Sequence, residues 1–380
     1  MIRPYLCVII IIILVGCESV TLNTDEILAT DVPVVDRDFS EDFIIWGNSG
    51  LTDTVDQYMN SVFEERYPDL TITFIDAGWD EALRLNLENA IQMGRPPEVV
   101  IGENYFRAFA ITDDLQPVDD VLANYDDIIP ETYAASAYDS QFYAVPFLTG
   151  IFALERNCAV IESAGLDCDN PPQYWEDLLA DVRQITQAGS GEYYGYTLQG
   201  PGGTAVGSAF RIAVYQSQLG ALPCADDACT IPDFNRADTL PVYEFLRDLV
   251  RETPPGLIQN SNEVEVYEAL FRGTSAYQIA GSWHPAWASS AGCDDCRYSE
   301  IPHPQAGSES TLLVGNVLYA APANSQHPDL AREWLELLLS DEVQTMIFSE
   351  TGRLPVRRTA LESALDEADD ATDVFIKGTF

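Results

Sequence analysis

Aromatic side chains stand beside hydrogen-bonding groups at three places where the pattern predicts a strand to end. These are Trp46-Gly47-Asn48-Ser49-Gly50, Asp76-Ala77-Gly78-Trp79 and Gly102-Glu103-Asn104-Tyr105. Trp283 and Trp287 flank His284 after a further predicted strand that ends at Gly281, and Asn316 follows Gly315. A ring can cover an apolar C–H face, while amides, carboxylates and hydroxyls pair with a hydroxyl rim. The pattern suits a neutral, hydroxyl-rich small ligand. The candidate ligand-binding residues are Trp46, Asn48, Trp79, Glu103, Asn104, Tyr105, Thr149, Thr204, Trp283, His284, Trp287 and Asn316. Each loop tryptophan fits packing between layers equally well, and Glu103 fits a plain surface acid. Trp175 and Trp334 fall on apolar helix faces and are predicted core residues. Gln199-Gly200-Pro201-Gly202-Gly203-Thr204 is too glycine-rich to be regular and lacks the pattern of a phosphate loop. It reads as a ligand-side loop or as a plain connector.

Covalent chemistry is not advertised. The chain has no GxSxG elbow and no HExxH motif, and carboxylate pairs carry no information among 61 acidic residues. Only three histidines are present, so His284 reads as a hydrogen-bonding loop residue rather than a metal ligand. Neither a catalytic residue, a metal nor a cofactor is expected. Cys158, Cys168, Cys224, Cys229, Cys293 and Cys296 form three sequence-local pairs, which an oxidising compartment would join as 158–168, 224–229 and 293–296. The rival for Cys293-Asp294-Asp295-Cys296 is zinc, but a second CxxC or a suitably spaced histidine is missing.

Charge narrows the partners. The net charge is −42, and Lys377 is the only lysine beside 18 arginines. Nucleic acid is excluded as a partner, because its phosphates demand clustered Lys and Arg. Anionic small ligands are disfavoured unless a local arginine compensates. Acidic doublets such as Asp113-Asp114 and Asp226-Asp227 are scattered and read as a solvated shell, one suited to a saline habitat.

The elements that must hold the candidates alternate. Residues 43–46 form an apolar run suited to a buried strand. Residues 51–63 carry apolar positions at helical spacing, 70–75 are rich in β-branched residues, 82–91 are helical with Gly94 as cap, and 98–101 are again strand-like. This βαβαβ succession predicts an open, mostly parallel sheet whose ligands bind beyond the strand ends. Residues 141–154 read as a strand carrying Pro146, with a helix from Trp175 to Ile185. Helices are also expected at 240–250 and 264–271, a strand at 276–280 and one long helix at 328–348.

The start of the chain gives an address. Residues 1–17 combine Arg3, an apolar run of residues 5–15 and Leu14-Val15-Gly16-Cys17. The run is shorter than the roughly 20 residues of a membrane-spanning helix and suits a signal-peptide core. The tetrapeptide resembles a bacterial lipobox, in which Cys17 would be lipidated and become the first residue. Residues 18–41 are polar, without apolar periodicity, and read as a flexible tether.

Four stretches of the body, in order, resemble extracellular solute-binding proteins of family 1, the sugar-binding components of ABC importers. Met93-Gly94-Arg95-Pro96-Pro97-Glu98-Val99-Val100 resembles G-x-x-P-D-V with Glu98 replacing Asp. Tyr143-Ala144-Val145-Pro146, Leu154-Glu155-Arg156-Asn157 and Ala164-Gly165-Leu166 resemble Y-G-V-P, Y-N-K and A-G-L. Phe271-Arg272-Gly273 through Gly281-Ser282-Trp283 resembles F-x-x-G-x-x-A-M … G-x-W with Tyr277 replacing Met. Gly352-Arg353-Leu354-Pro355-Val356 resembles the closing G-x-L-P-V. The resemblance implies a two-lobed α/β periplasmic-binding-protein-like fold (type II), hinged and closing on its ligand. It places lobe I at 42–146 plus 312–360 and lobe II at 147–311 plus 361–380, with crossovers at 146–150 and 311–316. It also implies a monomeric, lipid-anchored, extracytoplasmic receptor that passes a mono- or oligosaccharide to an ABC permease, with no enzymatic activity. The alternatives are another solute (a polyamine, iron, or glycerol phosphate bound through Arg107 or Arg211) and, apart from these, a secreted carbohydrate-active enzyme.

Overall fold

The computed structural model describes residues 42–48, 53–200, 206–225, 231–260, 263–306, 315–351, 353–368 and 370–379. The leader, the tether, Cys17, Thr204 and Cys229 lie outside them. The strands are β1 (Asp42–Gly47), β2 (Thr71–Asp76), β3 (Val99–Gly102), β4 (Ala137–Tyr138), β5 (Gln141–Phe142), β6 (Val145–Gly150), β7 (Phe152–Asn157), β8 (Tyr194–Tyr196), β9 (Ser275–Gly281), β10 (Cys296–Ser299), β11 (Gly315–Ala320) and β12 (Leu354–Pro355).

They build two larger sheets and one hairpin. The first sheet runs β12-β6-β11-β3-β1-β2, the second β10-β7-β9-β8, and β4 pairs with β5. β2 and β3 are parallel to β1, while β11 is antiparallel to both β3 and β6. In the second sheet β7 is antiparallel to β9 and β10, and β8 is parallel to β9. Each sheet therefore has a majority direction with antiparallel members.

The apolar run of β1 is explained by its place between two neighbours, where every residue is buried. The helix Asp53–Arg66 turns Val55, Met59 and Phe63 inward at four-residue spacing. Phe63 meets Trp334 edge-on at 4.9 Å, and Phe43 lies 6.0 Å from the same indole. Trp334 is thus a core residue, as predicted, and Trp175 stacks on Phe245 at 4.3 Å inside the other core. Glu98, the variant position of its motif, is buried and accepts hydrogen bonds from the Ser325 hydroxyl and the His327 N–H. It ties β3 to the start of the helix Pro328–Leu338.

Two predicted elements divide. The single strand expected at 141–154 is β5, β6 and β7, and the chain changes sheet at Ile151. Val145–Gly150 belongs wholly to the first sheet, so the change falls just beyond the crossover expected at 146–150. The long helix at 328–348 breaks into Pro328–Leu338 and Asp341–Thr351, because the Ser340 hydroxyl accepts the Val343 N–H and starts a new helix. Disulfides join Cys158 to Cys168 and Cys293 to Cys296, and Cys224 is also disulfide-bonded. The last two helices bury Leu361, Ala364, Phe375 and Ile376 against Ile151, Ala153, Ala280 and Tyr298.

Gln344 locks the first sheet to its C-terminal strand. Its fully buried amide donates to Phe147 O at 3.1 Å and Leu338 O at 2.8 Å, and accepts from Val356 N–H at 2.8 Å. Replacing it by leucine leaves buried backbone groups without partners, each costing about 1–3 kcal/mol. Gln344→Leu is expected to lower unfolding stability by about 2–4 kcal/mol in urea titration; an unchanged midpoint would show that water replaces the amide.

Candidate ligand-binding site

The place where the sheets exchange the chain is shaped by two glycines and an indole. β9 ends at Gly281, and Trp283 begins the turn into the helix His284–Ser290. The ring lies back over the strand, so that a Cβ on Gly281 would sit 2.2 Å from it. A Cβ on Gly150, at the end of β6, would stand 2.7 Å from Ser282 Oγ and 3.2 Å from the same ring. Trp283 is half-buried, edge-on to Phe152 at 5.8 Å and to Trp287 at 6.4 Å. Trp287 in turn lies 4.9 Å from Tyr267. The three rings form an aromatic set at the head of the second sheet.

Beneath it runs a chain of charges. Glu155, fully buried on β7, accepts from Tyr298 Oη at 2.7 Å and from the Gln278 amide, and lies 3.0 Å from His284 Nδ1. His284 Nε2 is 3.8 Å from Glu263 Oε1, which also takes a 3.0 Å hydrogen bond from Arg211. Arg211 is held in place by Gln199, Gly207 O and Ile279 O. Only Glu263 is open, with 33% of its side chain exposed. Burial alone would raise its carboxyl, but His284 and Arg211 outweigh burial and bring it down to about 2. Burial would likewise lower the His284 imidazole; Glu155 and then Glu263 reverse this and raise it.

The sequence candidates separate into distinct surroundings. Trp46 is a buried residue of β1 itself, 6% exposed, and packs rather than lining a loop. His284 is completely enclosed, so it supports the rings from below instead of touching solute. Asn48, Trp79, Glu103, Asn104 and Tyr105 are half-buried past the ends of β1, β2 and β3. Asn104 Oδ1 is enclosed and has no hydrogen bond among the described residues. Tyr105 folds back on β3, where a Cβ on Gly102 would meet its hydroxyl at 2.5 Å. Thr149 is buried on β6 directly across from Asn316 of β11, so the fold brings those two together beside Gly150. Glu155 and Glu263 carry no signal separating them from the chain's other acids. Arg211, considered as an anion reader, is 2% exposed and has its donors occupied.

The profile of the family described as bacterial extracellular solute-binding protein matches residues 48–345. The chain belongs to this family. An uncharacterized ABC transporter extracellular-binding protein of Pyrococcus horikoshii is 23% identical over 349 residues, covering 87% of this chain and 74% of that protein. An ABC transporter solute-binding protein from Thermotoga lettingae, solved with alpha-D-tagatose, superposes with a TM-score of 0.75 at 21% identity over 89% of this chain and 87% of the other. UgpB from Mycobacterium tuberculosis, in complex with glycerophosphocholine, does so with a TM-score of 0.75 at 18% identity over 89% and 86%. The two sheets of this solute-binding protein are accordingly those of a two-lobed, type II periplasmic-binding-protein-like fold.

The buried charges predict a pH profile for stability. A raised histidine stabilises the fold fully below its unfolded value, about 6.5, and loses that contribution as pH rises through the folded value. A lowered carboxyl stabilises above its unfolded value and loses its contribution as pH falls toward about 2. Denaturation midpoints are expected to decline on the alkaline side in the native protein, and His284→Gln is expected to flatten that limb. Parallel slopes for the two proteins would contradict the protonated imidazole.

Proposed function

We propose that this solute-binding protein is a lipid-anchored, extracytoplasmic receptor that closes its two lobes on a carbohydrate and delivers it to an ABC importer permease. The observation that carries the reading is the aromatic set Trp283, Trp287 and Tyr267 mounted beside an open, ionised carboxylate, Glu263. Rings of this kind cover the C–H face of a sugar, and a carboxylate held far below its ordinary pKa accepts hydrogen bonds from hydroxyls at any physiological pH. Asn48, Glu103, Asn104 and Tyr105 complete the grip from the first sheet, with Thr149 and Asn316 at the hinge.

Closure supplies the mechanism. A solute touching both lobes binds the closed form better and shifts the equilibrium by that difference in affinity. The permease then reads the closed shape, and no covalent step occurs. We assign β1, β2, β3, β6, β11 and β12 to lobe I and the β7–β10 sheet with the final helices to lobe II. The signal peptide directs export and is removed, and lipidated Cys17 then holds a monomer to the outer face of the membrane through residues 18–41. Local disulfides suit that oxidising side.

A thermal-shift panel of mono- and oligosaccharides, polyamines and phosphorylated polyols tests the reading. A ligand at about 100 times its dissociation constant adds roughly 2.7 kcal/mol of stability, which is easily seen. A saccharide is expected to give the hit, and Trp283→Ala to weaken it about tenfold or more. A hit confined to polyamines or phosphorylated polyols, or an affinity unmoved by Trp283→Ala, contradicts the assignment.

A further inference from the structure

The imidazole of His284 lies between two carboxylates that come from different elements. Nδ1 is 3.0 Å from Glu155 Oε2 on β7, and Nε2 is 3.8 Å from Glu263 Oε1 on the helix Glu263–Phe271. The ring is fully enclosed, and Nε2 makes no hydrogen bond among the described residues. An anion toward each ring nitrogen favours the doubly protonated form. Burial opposes that form, but Glu155 and then Glu263 outweigh it. Aromatic rings close off much of the remaining space, with Trp287 at 5.3 Å and Tyr267 at 5.6 Å. The Tyr267 phenol, raised further by burial, titrates well above an imidazole. Behind the two carboxylates stand Tyr298 of β10 and Gln278 of β9, donating to Glu155, and Arg211 of the helix Val206–Ser217, donating to Glu263. The charge of Arg353 also reaches Glu263.

The two inner cations meet Glu263 on one oxygen. Arg211 donates to Oε1 at 3.0 Å, and His284 Nε2 faces the same atom. Oε2 is the oxygen on which neither bears, in a side chain that is 33% exposed and one helical turn from Tyr267. A single contact to Arg211 leaves a carboxylate free to swing. The imidazolium is the second point that fixes its direction.

We propose that solute binding is linked to the proton on His284: Glu155 is a positioning residue that keeps this proton in place, the imidazolium turns Glu263 Oε2 toward the solute's hydroxyls, and affinity falls as the proton is lost. This deepens the carbohydrate reading and rests on it for the solute; the proton is held with or without a guest. The sign is fixed by linkage. Affinity is full below the folded pKa of His284 and declines as pH rises through it. Reciprocity then requires a bound saccharide to raise that pKa by the same factor.

Two measurements on the intact protein test this. The first needs no solute: an NMR titration of the imidazole signals, of which the chain has three, with His284→Gln to assign them. His284 is expected to titrate above about 6.5, and Glu155→Gln to bring its midpoint down by about 1 or more. The second is calorimetry with D-glucose, D-galactose, D-mannose, sucrose and maltotriose from about pH 6 to about pH 9.5, wherever circular dichroism shows the fold intact. For a saccharide that binds, the dissociation constant is expected to rise about fivefold or more on the alkaline side. That limb is expected to move to lower pH in Glu155→Gln and to vanish in His284→Gln, whereas loss of a merely structural group would weaken binding equally at every pH. The inference is overturned when His284 titrates at or below about 6.5, when affinity is flat across the range, or when Glu155→Gln leaves the limb in place; the carbohydrate reading then stands. If Glu155→Gln does not fold, the native imidazole titration with and without saturating saccharide decides, and an unmoved midpoint overturns the linkage. Silence from every saccharide here and in the thermal panel overturns both.

Discussion

A carboxylate with no access to water must have its oxygens satisfied by donors, and Glu155 is fully enclosed on β7. Tyr298, Gln278 and His284 supply those donors from β10, β9 and the first turn of the helix His284–Ser290. That requirement fixes where the helix starts, and with it the directions of Trp283 and Trp287. It also places His284 within reach of Glu263, which couples the second sheet to Arg211. Removing one member would leave the rest as uncompensated buried charges, so the rings rest on an all-or-none support.

The hinge obeys a different constraint, that of space. Gly150 and Gly281 leave no Cβ where the Trp283 ring passes. The chain crosses from one sheet to the other within a single residue, Ile151, which is itself buried with Ala153, Ala280 and the last helix. In the proposed closing motion the lobes would turn about this crossing while the indole stays seated on its own strand. In such a design the solute replaces water between two prebuilt surfaces, and the difference in its contacts with open and closed forms is the whole driving force.

Much of this was legible in the residues. The apolar and β-branched runs and the helical spacings from Phe43 to Ile101 give β1, β2, β3 and their helices nearly in place: β1 and β3 are buried along their whole length, and the helix Asp53–Arg66 turns one apolar face inward. Trp334 and Trp175 announce themselves as core through their helix spacing. The Trp283–Trp287 pair is visible because it follows an apolar strand at once. Tertiary pairings were not visible. Glu155, Arg211, Glu263 and His284 come from four different elements, and among 61 acidic residues nothing local singles out Glu155 or Glu263. His284 reads as a loop residue because its partners lie on other elements. The break at Ser340 hangs on one side-chain hydrogen bond, and periodicity runs straight through it.

Solution scattering on the protein with and without its best saccharide tests the central claim most directly, that two lobes shut on a solute held between them. The account expects a smaller radius of gyration on saturation, with unchanged mass. A titratable, stoichiometric ligand that leaves the scattering curve unaltered would contradict it.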